Sequence, residues 1–446
     1  MLFAAAVFLF SAHDFDAVRL PLSSNYCAAA AVNELGDIGL NCGLNLSVVD
    51  QDLNVSELAW HTWRGYLHRR ALNNARQAVV DVVSTPSGIF GGSSQYVSFL
   101  LGPGAMRLLA GGATNVIGLN NAGRVLLWHN PEGAQVWEDG FRPLQDNGAR
   151  ISAWNDFEQT FAFNESANLA YRLNTRTGEI KSAERRITGN IAVMNARGWV
   201  ANTMLPDYDN GSRNDSTGDL VLDTFDDNGQ LPRSRVIAAG RFNVYYQPLG
   251  LNDRGWLLFL SQQNLTTQFY LWDGQTVRNV NQLLPAALQD RQVTNVAGPN
   301  NDGVLAVTLA PRAYGYSIYD TYRLTPIGLD PFTEILKPES GSELSGHGEY
   351  LGCDAQTGDA VLTGWAFDAS RPALPPAVEL YDGTRLIAAA IAVATPREDG
   401  TYGYQVTAPA KIFRDGKDHF LNVRYAGTAT AIEQSWGTIQ CAATAN

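Results

Sequence analysis

Four acidic side chains lie in polar turns of this 446-residue chain, where they could act in pairs: Glu34, Glu165, Asp253 and Asp302. Two carboxyl groups about 5–10 Å apart can cleave a glycosidic bond, one as general acid and the other as nucleophile or base. Turn residues lie at strand ends, so these four side chains could line one face of the molecule. The sequence does not give the distances between them, and a structural role in the turns is the alternative for each.

A second acidic stretch, Asp207–Asp219, is the candidate metal site. Oxygen ligands at alternate positions suit calcium. However, Gly211 comes one position too early for a calcium-binding loop, and no Glu follows at the expected distance. We therefore expect neither a metal nor a cofactor. Calcium at this loop is the alternative, and its acidic or amide residues are Asp207, Asp209, Asn210, Asp215 and Asp219.

Sequence motifs of common enzymes do not occur in the chain. It has no Gly-x-Ser-x-Gly, no His-Glu-x-x-His and no P-loop, and its six histidines show no ligand spacing. We therefore predict no catalytic residue. The net charge of −12, with only Lys181, Lys337, Lys411 and Lys417 as lysines, argues against nucleic acid as a partner.

Tryptophans offer a third kind of candidate site, an aromatic platform for a sugar. Trp128, Trp199 and Trp256 follow polar turns at equivalent positions, which favours packing between repeated units. Trp60 and Trp63 fall outside that pattern and are the better candidates for an exposed platform.

The elements that must position these residues are set by a repeat. The phrase Leu-Asn-x-x-Gly, followed by an apolar segment, recurs about every 44 residues, a period typical of stacked or radial repeats. Asn with Gly three positions later is typical of a type I turn. Two copies have Arg76 and Ala167 in place of the Gly, so we expect those turns to be looser or to use a different backbone geometry. The repeat asparagines are Asn33, Asn73, Asn120, Asn164, Asn195, Asn252 and Asn300.

Short apolar runs flank each turn, and some copies add a second acidic-Gly turn, as at Asp273-Gly274. Two hairpins per repeat make a four-stranded sheet, and seven such sheets make a closed radial array. We therefore predict an all-β fold with a seven-bladed β-propeller (six to eight blades) over residues 13–335. A linear β-solenoid is the alternative.

The repeat also resembles a known family. LNDRGWLLFLS at residues 251–261, followed by TTQFYLWDG at 266–274, is similar to the extracellular HAF-type repeat of secreted bacterial proteins. The resemblance covers residues 25–335, but the His of the family triplet is absent here. It implies a secreted scaffold, and the family has no shared catalytic motif to carry over.

Two further features indicate export. Residues 1–12 hold a short apolar run that fits a possible signal segment, with an ordinary buried strand as the alternative. Cys27, Cys42, Cys353 and Cys441 allow three pairings, and the local choice is Cys27–Cys42 with Cys353–Cys441. Four free thiols are the alternative. Paired cysteines are typical of oxidising compartments.

The period ends before the last hundred residues. Residues 336–347 are polar and rich in Gly and Ser, which predicts a linker. Residues 348–446 alternate apolar and polar positions, and Asp382-Gly383 is a strong hairpin signal. We predict a C-terminal β-sandwich of immunoglobulin-like shape. This segment resembles a small accessory module of secreted bacterial proteins, with GWAFD at residues 364–368 and GTYGY at 400–404 as its marks.

These observations favour a non-catalytic binding or adhesion protein that is secreted, periplasmic or at the cell surface. We expect it to be monomeric, with no transmembrane anchor, and to recognise a protein or a glycan through one propeller face. A glycoside hydrolase or polysaccharide lyase with carboxylates at the propeller axis is the alternative. A third hypothesis is a purely structural role in a surface array.

Overall fold

A computed structural model of the chain describes most of residues 14–441. Within these limits the described part leaves out residues 23, 25, 44, 59–63, 85–94, 103–104, 112–113, 130–132, 139, 145–148, 165–168, 176–177, 179, 185–191, 205–217, 225–232, 241–243, 265, 313–318, 333–343, 370–371, 394, 414–416, 427 and 429.

Seven antiparallel four-stranded sheets form a β-propeller, which confirms the predicted fold class. In six of the blades the strands follow one another in chain order, because hairpins join each strand to the next. The first three blades contain β2 (Cys27–Val32), β3 (Ile38–Cys42), β4 (Asn45–Val49) and β5 (Val55–Leu58); β6 (Arg64–Leu72), β7 (Ala78–Ser84), β8 (Gln95–Gly102) and β9 (Ala105–Gly111); and β10 (Thr114–Leu119), β11 (Val125–His129), β12 (Gly133–Trp137) and β13 (Phe141–Pro143).

The next three blades repeat the same order. Two short 3-10 helices, Val280–Leu283 and Ala286–Leu288, follow the sixth blade. The blades contain β14 (Arg150–Trp154), β15 (Gln159–Asn164), β16 (Leu169–Asn174) and β17 (Ile180–Glu184); β18 (Val193–Met194), β19 (Val200–Met204), β20 (Asp219–Thr224) and β21 (Arg233–Ala238); and β22 (Val244–Leu251), β23 (Leu257–Gln263), β24 (Thr266–Trp272) and β25 (Val277–Asn279).

The seventh blade closes the ring with strands from both ends of the propeller sequence. It contains β26 (Arg291–Ala297), β27 (Leu305–Pro311), β28 (Asp320–Pro326) and, outermost, β1 (Phe15–Arg19) from the start of the described chain. Phe15 lies opposite Pro326 and Arg19 opposite Tyr322. Closure of this kind leaves no long open sheet edge between the first and last blades.

The apolar core of the propeller is divided into layers between neighbouring blades. Leu46 and Val80, for example, pack between the first and second blades, while Phe259 and Leu222 pack between the fifth and sixth. The first strands of the blades approach closely around the axis. A Cβ on Gly250 would clash with the carbonyl oxygen of Gly298 in the next blade, so that position accepts only glycine.

A second all-β domain follows the propeller. It is a seven-stranded sheet in the order β32-β31-β34-β35-β29-β30-β33, so curved that its end strands β32 and β33 approach each other. It therefore forms one nearly closed, barrel-like sheet. A short 3-10 helix, Ala410–Phe413, follows β33. The strands are β29 (Leu344–Cys353), β30 (Ala360–Asp368), β31 (Ala377–Asp382), β32 (Arg385–Ile391), β33 (Tyr402–Ala408), β34 (His419–Tyr425) and β35 (Ala431–Ile439).

Two local predictions can be compared with this domain. The hairpin at Asp382-Gly383 is present, since Asp382 lies opposite Arg385 in the β31–β32 ladder. The strand β29 begins at Leu344, inside the segment that the sequence predicts as a linker. The hydrophobic core of the domain includes Leu362, Leu380, Phe413 and Val423.

Both predicted disulfides are present. Cys27 and Cys42 lie directly opposite each other in β2 and β3. Cys353, at the end of β29, is bonded to Cys441, which follows β35. Among the described residues, none of the helices has the length and apolarity that a bilayer span requires.

Candidate functional site

Seven asparagines shape the turns between the first and second strands of the blades. In each turn the asparagine carbonyl accepts a hydrogen bond from the N–H three residues on. Its side-chain oxygen accepts the N–H four residues on, at 2.8–3.0 Å. The third residue after the asparagine has a positive φ in all seven turns. The seven are Asn33, Asn73, Asn120, Asn155, Asn195, Asn252 and Asn300.

The asparagine of the fourth blade is Asn155, so the prediction of Asn164 was wrong. Asn164 ends the second strand of that blade, β15. Two turns have a side chain in the usual Gly position, Arg76 with φ 57° and Glu158 with φ 62°. Both keep the same hydrogen bonds and positive φ as the glycine turns, so the expectation of a looser or different turn at Arg76 was wrong. Ion pairs hold both residues, Arg76 to Asp37 and Glu158 to Arg124. Ala167 lies outside the described residues.

A ring of side-chain hydrogen bonds joins neighbouring turns. In five of the seven turns the Nδ2 of the asparagine donates to the backbone carbonyl of the equivalent asparagine in the next blade. Asn300 closes the circle by donating to the carbonyl of Glu34 in the first blade. The ring is interrupted between the third and fourth blades, where the buried Nδ2 of Asn120 has no hydrogen-bond partner within the described chain. The turns are therefore linked around the axis by side chains.

The residue after each asparagine forms a second ring. Its backbone N–H donates to the side-chain oxygen of the equivalent residue in the next blade, as Asn74 donates to Asn121 at 2.8 Å. Ala196 interrupts this ring because it has no side-chain oxygen. The ring residues are Glu34, Asn74, Asn121, Asp156, Ala196, Asp253 and Asn301, and their bonds measure 2.7–3.0 Å.

The second ring brings three carboxyl groups, Glu34, Asp156 and Asp253, to the propeller axis. Burial raises the pKa of Asp156 to about 7. Burial, and then the charge of Asp253, raises the pKa of Glu34 well above its usual value. Burial also raises the pKa of Asp253. Two of the acids predicted from sequence, Glu34 and Asp253, therefore lie in the second ring. The remaining carboxyl group of this ring, that of Asp156, was not predicted.

These carboxyl groups are engaged in the hydrogen bonds that hold the ring. Asp156 accepts the backbone N–H of Asn121 and its Nδ2, at 2.7 and 3.0 Å. Asp253 accepts the N–H of Ala196 and the Nδ2 of Asn301, both at 2.7 Å. In the described part of the chain, no group of three or more His, Cys, Asp and Glu side chains is arranged to hold a metal ion.

The C-terminal domain covers this ring. Glu379 of β31 accepts a hydrogen bond from Nδ2 of Asn74 at 2.9 Å and another from the hydroxyl of Tyr381 at 2.9 Å. The space between the second ring and the C-terminal domain measures about 110 Å³. The space along the propeller axis on the other side of this ring measures about 170 Å³. Both lie below the roughly 300–1,000 Å³ of typical ligand sites.

The remaining acidic candidates do not join the ring. Asp302, in the turn of the seventh blade, accepts the N–H of Phe332 at 3.0 Å. Glu165 lies outside the described residues, as does most of the candidate calcium loop. Asp219, the last residue of that loop, begins β20, and its carboxylate accepts the N–H of Gly240 at 2.6 Å.

The tryptophans at equivalent positions pack between blades, as predicted. Trp199 lies against Gly255 of the next turn, and Trp256 against Gly303 of the one after it. Trp128 packs on the core between the third and fourth blades. Trp60 and Trp63 fall outside the part that the structure describes.

A groove of about 710 Å³ lies between the propeller and the C-terminal domain. One wall comes from the first three blades and includes Leu100, Arg107 and Trp137. The other wall comes from β32 and from the segment after β33. Lys411 of the C-terminal domain forms an ion pair with Asp52 of the first blade. This interdomain groove has the volume of a typical ligand site.

The strand β32 presents its edge to the interdomain groove. Residues 387–393 all line it. Successive side chains of a strand point to opposite faces, so a consecutive run of lining residues means that the strand's edge is exposed there. Among the described strands β32 pairs only with β31. Beyond its end, the N–H of Val393 donates to the carbonyl of Gly403 at 2.7 Å.

Sequence reasoning missed the interdomain groove, Asn155 of the first ring and every residue of the second ring except Glu34 and Asp253. The signal for Asn155 was available: Asn155-Asp156 follows the apolar run at residues 151–154, and the spacings of 35 and 40 residues fit the repeat. The approach of Glu379 to Asn74 had no signal, because the two residues are 305 positions apart.

Comparison with known proteins adds little. No protein-family model matches the chain, and no curated protein matches it. Acylaminoacyl peptidase from Pyrococcus horikoshii is 14% identical with a TM-score of 0.39 over 64% of this chain, which spans about half (51%) of that enzyme. The WD40 domain of Toxoplasma gondii coronin is 12% identical, with a TM-score of 0.36 over 72% of this chain and 89% of that one. Regucalcin, a calcium-binding protein from Agrobacterium tumefaciens, is 12% identical, with a TM-score of 0.31 over 70% and 94%. Likenesses this distant carry no argument about function, and the propeller assignment rests on strand pairing.

Proposed function

We propose that the protein is an exported, non-catalytic binding protein that holds an extended peptide segment of a partner protein in the interdomain groove. The observation that carries the proposal is the edge of β32, which lies along the groove over residues 387–391. A strand edge offers a row of backbone N–H and C=O groups, and an extended peptide satisfies them by adding one strand to the sheet.

The side chains around this edge suit a peptide. Small and apolar residues such as Ala389, Ala390 and Ile391 leave room beside the β32 backbone. Arg107 and Asp50 bring both signs of charge to the propeller wall. A peptide presents apolar side chains, charges and an unpaired backbone together, so it can use each of these features.

The glycosidase or lyase alternative depends on the axial carboxyl groups. Asp156 and Asp253 each accept two hydrogen bonds within the ring, and Glu379 closes the ring from above. The space of about 110 Å³ beside them is smaller than a typical ligand site. These contacts favour a structural role for the carboxyl groups, and we do not favour the enzyme.

Export is part of the proposal because of the cysteines. Cys27–Cys42 and Cys353–Cys441 are disulfide-bonded, and such bonds persist in oxidising compartments. We propose that the protein functions outside the cytoplasm, in the periplasm, at the cell surface or in the medium.

The test begins with selection of random linear peptides on the intact, oxidised protein. A selected peptide is labelled, and its Kd is measured by fluorescence anisotropy on the native protein and on Ala389→Trp. The tryptophan fills the space beside β32, so we expect binding to the variant to fall by at least about tenfold, which corresponds to about 1.4 kcal/mol.

Ala431→Trp is the matched control, since Ala431 is an exposed strand residue of the same domain that does not line the groove. It should bind with unchanged Kd. The proposal fails if selection yields no peptide above background, or if the selected peptides bind Ala389→Trp as tightly as the native protein.

A further inference from the structure

A second concave surface lies on the face of the sixth blade that is turned toward the fifth. Its volume is about 520 Å³, within the range of ligand sites. Gln263 and Thr266 flank the β23–β24 turn, at the end of the blade opposite the Asn252 turn. This blade-six surface is therefore remote from the axial ring, and it shares no lining residue with the interdomain groove.

Strand register places its side chains in cross-strand pairs. Phe259 lies opposite Tyr270, Ser261 opposite Gln268, and Gln263 opposite Thr266. Positions two apart along a strand share one face of a sheet. These side chains form a short row on one face of the sheet, with aromatic rings at one end and amide and hydroxyl groups along the rest.

The polar side chains of this row carry no charge. None of the described residues that line the surface is Asp, Glu, Lys, Arg or His, although such residues other than His make up 17% of the chain. Amide side chains offer both donors and acceptors, and so do hydroxyl groups. Gln263, Asn264, Thr266 and Gln268 are exposed, so they can bond a ligand with little rearrangement of buried groups.

The half-buried ring of Tyr270 gives the same surface an apolar part, and the buried rings of Phe259 and Tyr246 support it. The ring of Tyr270 is stacked on Phe259, with centroids 5.4 Å apart and planes at 17°. Tyr246 meets Phe259 edge to face at 6.2 Å. These contacts fix the orientation of the rings, so a ligand need not order them when it binds.

We propose that the blade-six surface binds an uncharged glycan. Sugar rings combine C–H faces, which pack on aromatic rings, with hydroxyl groups that both donate and accept hydrogen bonds. A charged ligand finds no opposite charge among the described residues of this surface. A purely apolar ligand makes no hydrogen bond to the amide of Gln263 or to the Nε2 of Gln268, whose Oε1 accepts from the hydroxyl of Tyr270. The inference is independent of the peptide proposal, because the two surfaces share no residue.

The experiment is saturation-transfer NMR on the intact protein with cellohexaose, maltohexaose and mannohexaose, and with acidic hexagalacturonate for comparison. We expect transfer to at least one neutral oligosaccharide and none to the acidic one. Titration of that oligosaccharide then gives a Kd for the native protein. Gln268→Ala and Tyr270→Ala should each raise the Kd by about tenfold.

The controls separate this surface from the rest of the molecule. Gln262→Ala changes an exposed glutamine on the opposite face of β23 and should leave the Kd unchanged. Ala389→Trp should also leave it unchanged. Because Gln268 is exposed, its variant keeps the test valid if Tyr270→Ala does not fold. The inference is overturned if no neutral oligosaccharide binds, or if one binds and Gln268→Ala leaves its Kd unchanged.

Discussion

The asparagine of each blade turn satisfies backbone groups of two blades at once. Asn252, for example, accepts the N–H of Trp256 in its own blade and donates to the carbonyl of Asn300 in the next. The carbonyl of Asn300 also accepts the N–H of Gly303, so the side chain of Asn252 adds a second hydrogen bond that ties the two turns together. This double role explains why an asparagine recurs at a position where other turn-forming residues would shape the turn equally well.

Substitution of Asn155 by Ala tests this role and the corrected position of the fourth turn. The change removes the acceptor for the N–H of Gln159 and the donor to the carbonyl of Asn195. The carbonyl of Asn195 keeps the N–H of Gly198 as a partner, whereas the buried N–H of Gln159 loses its acceptor at Asn155. A buried group that loses its partner costs about 1–3 kcal/mol, so we expect a loss of that size in the free energy of unfolding.

Asn164→Ala is the comparison. Asn164 is half-buried at the end of β15, and we expect its replacement to cost less than about 1 kcal/mol by urea denaturation. Equal losses for the two variants would contradict the assignment of Asn155 to the ring.

The raised pKa of Asp156 predicts a pH dependence of stability. Its folded-state pKa of about 7 lies above the unfolded value near 3.9. Below both values the carboxyl is protonated in the folded and in the unfolded state, so its contribution to the free energy of unfolding is fully present. As pH rises from about 4 to about 7, the unfolded state ionises first, so the native protein loses stability relative to Asp156→Asn by up to about 4 kcal/mol.

Unfolding free energies of the native protein and Asp156→Asn, measured at pH 5 and pH 7.5, check this sign. The difference should move in favour of the variant at the higher pH. A difference that is constant, or that moves toward the native protein, would show that Asp156 is ionised at low pH in the folded state.

The sequence predicted the repeat but placed one of its asparagines wrongly, and the reason is physical. A turn is defined by its hydrogen bonds, and Glu158 keeps those bonds without the glycine that the pattern requires. Its ion pair with Arg124 joins two blades, a contact that the spacing of residues along the chain does not predict.

Strand β1 closes the circle of blades, because it pairs with β28 from the other end of the propeller sequence. Phe15 is buried in the core of the sixth and seventh blades. Phe15→Ala should therefore cost about 3–5 kcal/mol of unfolding free energy. Val18, on the same strand, is 38% exposed, and Val18→Ala should cost less than about 1 kcal/mol.

Thermal and urea unfolding of the two variants decide whether β1 closes the ring. If Phe15→Ala unfolds like the native protein, the closure by β1 contributes no stability, and the seventh blade must be held by its other three strands.

The two disulfides should contribute unequally. Cys353–Cys441 closes a loop with a sequence separation of 88 residues, and Cys27–Cys42 one of 15. Loss of chain entropy in the unfolded state predicts about 4–5 kcal/mol for the first and about 3 kcal/mol for the second. Double Cys→Ala variants of each pair, compared by calorimetry, check the order. The reverse order would contradict it.

Strands and hairpins could be predicted because short apolar runs and turn residues mark them locally, as at Asp382-Gly383. The edge of β32 could not be predicted. Whether a strand has one neighbour or two depends on which distant strands reach it, and β33 approaches β32 without forming a ladder within the described residues.

At the scale of the whole molecule, the C-terminal domain lies over the face of the propeller that carries the asparagine turns. Asn74 bonds Glu379 there, and Lys411 pairs with Asp52 at the groove. The sequence predicts recognition through one propeller face without saying which, and this face is partly covered by the second domain. Part of the first three blades forms one wall of the interdomain groove, so the second domain helps to build the proposed site.

The most direct test of the proposed site is amide hydrogen exchange of the intact protein with and without the selected peptide. A peptide that adds a strand to β32 must protect those amides of residues 387–391 that point away from β31, which alternate along the strand, while the outer propeller strands exchange as before. Protection confined to another strand, or no protection of β32 at saturating peptide, would contradict the proposal that this edge is the binding site.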